Sequence, residues 1–184
     1  MTVMTSERPT TEAVRAIHDA IDPPEGYRVE IVEGNITVAS TPFGQHAYIL
    51  MLIREAVTPT LSADHRLFEN TTLEEPEIDR YIPDLAAWPI DLIKTSTQWA
   101  FPGDRCVLAV EVTSPNQEQR DYAKAAGYAR SQVPVYLVVD RASRLCVVFT
   151  EPEGGTYRTR HEVPFGKPLT VPLETPVTLE TSEF

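Results

Sequence analysis

Apolar residues in this chain fall in short runs punctuated by Pro, Gly and Asn, and the spacing inside each run predicts an element. Thr11 to Ile21 has helical spacing and stops at Asp22-Pro23-Pro24. Tyr27 to Val32 and Ile36 to Ser40 flank Glu33-Gly34-Asn35, whose Gly and Asn tolerate positive φ, so the segment reads as a hairpin. Gln45 to Val57 is apolar enough for a mostly buried helix that lies against a sheet and ends near Pro59. Arg66 to Leu73 reads as a strand, and Glu74-Glu75-Pro76-Glu77 as a solvated acidic turn. Strands are predicted at Tyr81 to Trp88 and at Cys106 to Thr113. Between them lie a short amphipathic segment, Asp91 to Lys94, and a packed loop holding Trp99 and Phe101.

A loop at Ser114-Pro115-Asn116, a helix from Gln119 to Ser131 and an apolar strand from Val135 to Asp140 follow. Strand, helix and strand at this spacing predict a right-handed parallel βαβ unit. Leu145 to Thr150 adds a hairpin strand, and Tyr157 to Val163 and Leu169 to Leu173 are weaker strand signals. The pattern as a whole predicts an α/β (α+β) architecture with a mixed central sheet flanked by helices. It is read as one domain over 1–184, with the core at about 27–150, an amino-terminal helix region at 1–26 and carboxy-terminal strands at 151–184.

Composition narrows the function classes. Hydrophobic residues make up 42% and charged residues 23%, and no apolar run approaches the roughly 20 residues of a membrane span. Met1 to Thr11 lacks the basic start and apolar centre of a signal peptide, which leads us to expect a cytoplasmic protein with no membrane partner. Cys106 and Cys146 sit in apolar runs and read as buried hydrophobes. The net charge of −11 opposes tight nonspecific binding of nucleic acid, although a divalent cation in an acidic cleft reverses the local sign.

The candidate chemistry lies in acids embedded in apolar strands. Asp84 and Glu111 interrupt runs in which carboxylates are disfavoured unless a cation or hydrogen-bond donors accompany them, so a shared metal site is one reading. Glu111 and Thr113 share a strand face, and Asp84 joins them if the two strands pair. Asp121, Lys124 and Tyr128 recur at helical spacings and can present a carboxylate, an ammonium and a phenol from one face. Spacing alone leaves another reading open. Asp84 can close a turn after Pro83, Glu111 can pair with a buried Arg, and Asp121 with Lys124 can be a surface pair.

Six segments occur in one order: Val29 to Ile36, His46 opening a helix, Pro83-Asp84-Leu85, Val110 to Asn116, Asp121 to Tyr128, and Val133 to Asp140. Over about residues 27–149 the chain thereby resembles the restriction endonuclease family called Uma-two, a branch of the PD-(D/E)-x-K nuclease superfamily. The resemblance implies a restriction-endonuclease-like fold, a Mg²⁺-dependent endonuclease with Mn²⁺ as substitute, and DNA as substrate. It implies Asp84 and Glu111 as metal ligands and Glu30 as a further acid near the metal or its waters. The superfamily lysine stands two residues after the second acid, where this chain has Thr113, and Lys124 matches the position from which the family supplies it instead.

The catalytic set that the resemblance implies is Glu30, Asp84, Glu111 and Lys124, with His46, Thr113, Ser114 and Asp121 expected as supporting or substrate-binding residues. Cleavage of both strands of a duplex favours a homodimer. Two alternatives remain beside the nuclease: a nuclease-fold protein that only binds nucleic acid, and an interaction domain whose acids form ion pairs.

Overall fold

The structure, a computed structural model, describes residues 10–24, 27–40, 44–114 and 118–184. Most of the Met1 to Thr11 segment and Pro115-Asn116 of the expected loop lie outside these residues. The elements run α1 (Thr11–Ala20), β1 (Tyr27–Val32), β2 (Asn35–Ser40), α2 (Gln45–Val57), β3 (His65–Phe68), β4 (Thr72–Glu74), β5 (Arg80–Tyr81), β6 (Leu85–Pro89), α3 (Ile90–Thr95), β7 (Ala100–Pro102), β8 (Leu108–Val112), α4 (Glu118–Arg130), β9 (Val135–Asp140), β10 (Leu145–Glu153), β11 (Thr156–Pro164), β12 (Leu169–Val171) and β13 (Val177–Leu179).

Six strands form the larger sheet in the order β11-β10-β9-β8-β6-β3, and five form a smaller one in the order β2-β1-β5-β4-β7. Strands β8 and β9 pair in parallel across α4, as the βαβ pattern requires, whereas the other pairings of the larger sheet are antiparallel. Both faces of β8 and β9 are covered, which explains their nearly unbroken apolar sequence. Val110, Val112, Leu137 and Val139 point to the side where Ile49, Ile53 and Val57 of α2 pack together with Leu169 and Leu179. Ala109, Tyr136 and Val138 point to the other, where they meet Tyr128 of α4 and Val32, Leu73 and Tyr81 of the smaller sheet. Glu111 lies in register with this second set and so faces α4.

A close approach seats α4 on the smaller sheet. A Cβ at Gly127 would fall 2.0 Å from the Tyr81 hydroxyl, so only glycine admits the Tyr81 ring, which packs 5.0 Å from the Tyr128 ring.

Several elements depart from their expected limits. The first hairpin turns on Glu33 and Gly34, both at positive φ, and Asn35 enters β2. Arg66 to Leu73 is two strands, β3 and β4, divided between the two sheets with Asn70 at positive φ between them. Tyr81 to Trp88 is likewise broken at Ile82-Pro83-Asp84, where the chain leaves the smaller sheet and enters the larger. The acidic turn is not solvated at Glu75, whose side chain is wholly buried because it accepts from the N–H groups of Glu77, Ile78 and Asp79 and pairs with Arg130. Strands β7 and β13 have three residues each, too short to register as period-two patterns. Cys106 and Cys146 are free and buried. Among the described residues no helix is long and apolar enough to cross a membrane.

Candidate active site

Three carboxylates reach one place from three separate elements. Glu30 comes from β1 in the smaller sheet, Asp84 from the crossing segment just before β6, and Glu111 from β8 in the larger sheet. The antiparallel pairing of Leu85 with Val110 sets Asp84 beside the end of β8, so its Oδ2 accepts from the Val112 N–H at 2.8 Å. All three are buried, and none could remain charged there without fixed donors.

Helix α4 supplies the compensating charge. Lys124, with no exposed surface, donates to Glu30 Oε1 at 3.0 Å and to Glu111 Oε1 at 2.8 Å, and its Nζ is 3.5 Å from Asp121 Oδ1. Tyr128, one turn on, donates to Glu111 Oε1 at 2.9 Å. His46, near the start of α2, contributes Nε2 to Asp84 Oδ2 at 2.9 Å. Arg28, two residues before Glu30 on the same face of β1, donates to Asp84 Oδ1 at 3.0 Å. Its guanidinium is also 3.9 Å from Glu111 Oε2 and 4.0 Å from Glu30 Oε2. Arg120 lies 3.5 Å from Glu30 Oε2 and 3.4 Å from Asp121 Oδ1.

The environment separates the three acids electrostatically. Burial opposes ionisation of Asp84, but the His46 hydrogen bond and the Arg28 charge outweigh it and bring its pKa down to about 2. At Glu30 burial is again opposed, by Lys124, Arg28 and Arg120, and its pKa lies below the ordinary value. Glu111 moves the other way. Burial and the neighbouring Asp84 and Asp121 raise it to about 8 against the pull of Lys124. Burial disfavours the Lys124 ammonium, yet Glu111, Glu30 and Asp121 together hold its pKa above the ordinary value.

The donor set suits a hard divalent cation. Glu30 Oε2 and Glu111 Oε2 are buried carboxylate oxygens with no hydrogen-bond partner, a costly condition that an ion would relieve. As the side chains stand, no group of three or more His, Cys, Asp or Glu among the described residues is arranged to hold a metal. The Arg28 guanidinium stands between these oxygens.

A family model described as "Putative restriction endonuclease", Uma2, matches residues 16–182. The chain belongs to the Uma2 family. The fold of this Uma2 protein is also similar to the crystal structure of "a putative nuclease belonging to DUF820" from Anabaena variabilis, at 18% identity and a TM-score of 0.64, over 96% of this chain and 93% of that one. No curated protein matches the chain significantly. The mixed sheets flanked by helices are the restriction-endonuclease-like α+β fold expected from the sequence.

Of the expected residues, Glu30, Asp84, Glu111, Lys124, His46 and Asp121 converge in the Uma2 chain. Thr113 lies just past β8, and its hydroxyl accepts from the Arg141 N–H at 3.0 Å, tying the end of β8 to the turn after β9. Ser114 is half-buried beside the undescribed residues. Arg28 and Arg120 were missed. Alternation along β1 carries the signal for Arg28, since a residue two before a buried acid shares its face, but nothing in the sequence distinguishes it from an exposed arginine.

Proposed function

We propose that the protein is a divalent-metal-dependent endonuclease that hydrolyses phosphodiester bonds of DNA. The observation that carries this reading is the pair of buried oxygens on Glu30 and Glu111 that accept no hydrogen bond, beside an Asp84 whose pKa is lowered. Membership of the Uma2 family supports it. Asp84 and Glu111 would hold Mg²⁺, with Mn²⁺ as substitute and Glu30 close by. When bound, such an ion supplies Lewis-acid stabilisation of the charge that develops on the phosphate.

The chain's own groups then have separate tasks. Lys124 and Tyr128 fix the inner oxygen of Glu111, and Lys124 with the Ile82 N–H fixes that of Glu30, so the outer oxygens stay free for the cation. The Lys124 ammonium, buried between Glu30 and Glu111, favours the negative charge of the phosphate through its field. His46 and the Val112 N–H hold Asp84 in orientation. Asp121 balances Lys124 and Arg120. In this proposal the protein is cytoplasmic and works as a homodimer, one site to each strand.

Plasmid nicking with Mg²⁺ or Mn²⁺ tests the reading. Cleavage is expected with either ion, and its loss in chelator and in Asp84→Asn. A wild type that never nicks with any divalent ion would reject it. The second reading, a nuclease-fold protein that binds without cutting, is favoured by Arg28 and Lys124 already neutralising the acids and by the net charge of −11.

A further inference from the structure

We propose that Arg28 is a resident counter-cation that occupies the metal position in the ion-free protein and must swing out for a divalent cation to bind. The inference rests on the metal-site reading above and assigns the residue that regulates it.

The hydrogen bonds divide each carboxylate into a committed and an uncommitted oxygen. Asp84 Oδ2 takes His46 and the Val112 N–H, Glu111 Oε1 takes Lys124 and Tyr128, and Glu30 Oε1 takes Lys124 and the Ile82 N–H. The remaining three oxygens all face one group, the Arg28 guanidinium, at 3.0, 3.9 and 4.0 Å. A cation that used these oxygens would have to stand where Arg28 stands. Arg120 approaches Glu30 Oε2 alone, at 3.5 Å, and so blocks nothing at the other two.

Of the two cations that face more than one of these acids' outer or inner oxygens, Arg28 is better able to leave than Lys124. Lys124 has no exposed surface and two short hydrogen bonds, whereas the Arg28 side chain keeps 14% of its surface exposed. A guanidinium carries five N–H donors, and within the cluster Arg28 makes one hydrogen bond while its buried Nε makes none. Arg28 and Asp84 line a surface cleft of about 130 Å³ together with His46, Glu69 and Asn70, which gives the side chain a way out. The charges agree. With all four carboxylates ionised, as a bound cation favours, Glu30, Asp84, Glu111 and Asp121 face Lys124, Arg28 and Arg120 at ion-pair distance, and withdrawing Arg28 leaves a formal charge of two negative units for a divalent ion.

Calorimetric titration with Mn²⁺ of wild type, Arg28→Met, Arg28→Lys and Asp84→Asn tests the displacement. Arg28→Met is expected to bind at least about tenfold more tightly than wild type, because a competing charge has gone, and Arg28→Lys to stay near wild type. Without metal, Arg28→Met should melt lower, and saturating Mn²⁺ should raise its melting temperature more than that of wild type. Equal or weaker binding in Arg28→Met, with Asp84→Asn still abolishing binding, overturns the role of Arg28 and leaves the metal site standing. No binding in either wild type or Arg28→Met overturns both. Should Arg28→Met not fold, the Arg28 resonance of the wild type decides. On saturation with Mg²⁺ the Arg28 Nε–H resonance is expected to shift and sharpen toward a mobile side chain, and a resonance unchanged at saturation overturns the proposal.

Discussion

Two clusters of buried carboxylates and cations flank α4, and they differ in how completely their oxygens are used. Around Glu75 and Asp79 every carboxylate oxygen has a donor. Glu75 Oε2 accepts from three consecutive backbone N–H groups and its Oε1 from Arg130. Asp79 accepts from the Glu33 and Gly34 N–H groups, from the Tyr81 hydroxyl and from Arg130. Around Glu30 and Glu111, by contrast, one buried oxygen of each has none. A saturated carboxylate can only hold structure in place, here the turn of the first hairpin and the loop before β5. An unsaturated one carries a desolvation cost that folding alone does not offset, which marks a place built for something else.

The largest effect that would sharpen this contrast is on catalysis. Glu111→Gln should lower nicking by a factor on the order of a thousand while the melting temperature changes little, since Glu111, with its pKa raised to about 8, is largely neutral without metal, and an amide oxygen can still accept from Lys124 and Tyr128 but binds a cation far more weakly. Equal losses of activity and stability would erase the distinction between the clusters. Lys124→Ala comes next. It strands Glu30 and Glu111 in the interior, and chemical denaturation should show a loss of about 3–5 kcal/mol. Stability within about 1 kcal/mol of wild type would mean that water reaches these acids.

Glu75→Ala should cost about 2–3 kcal/mol by leaving three N–H groups without an acceptor, with nicking per folded molecule unchanged. A drop in turnover of the folded fraction would join the two clusters functionally. The smallest effect is in acid. Burial opposes ionisation of Glu75, but Arg130 and the loop N–H groups hold its pKa below the ordinary 4.5. Its contribution is therefore complete above about pH 4.5 and disappears as pH falls through the folded-state value. Thermal melts should show wild type losing more stability than Glu75→Gln on going from about pH 5 to pH 3, and parallel curves would remove Glu75 from the acid response.

Reading the sequence succeeded where a single period governs a whole element. Gln45–Val57 and Val135–Asp140 have their expected limits because one carries apolar residues densely at helical spacing and the other is covered on both faces. It failed where the chain changes sheets. Arg66 to Leu73 and Tyr81 to Trp88 each read as one strand, yet each is shared between two sheets, and nothing in a local apolar pattern records which neighbour a strand pairs with. Glu75 shows the same limit for charge. Its sequence neighbours are Glu74 and Pro76, whereas its compensating cation, Arg130, lies 55 residues away.

The acids were visible in the chain before it folds. Asp84 and Glu111 are conspicuous because a carboxylate inside an apolar run must find a partner, and the spacing of Asp121, Lys124 and Tyr128 places them on one buried helix face. The βαβ unit that carries Glu111 and Lys124 was visible there too. Which oxygens are used and which are left over was settled in three dimensions. That depends on Arg28 and Glu30 arriving from the smaller sheet, on Gly127 letting α4 approach Tyr81, and on distances of a few tenths of an ångström between groups far apart in the chain. Hydrophobic periodicity is a local property of the chain. Saturation of a buried carboxylate depends on every donor that folding brings within reach.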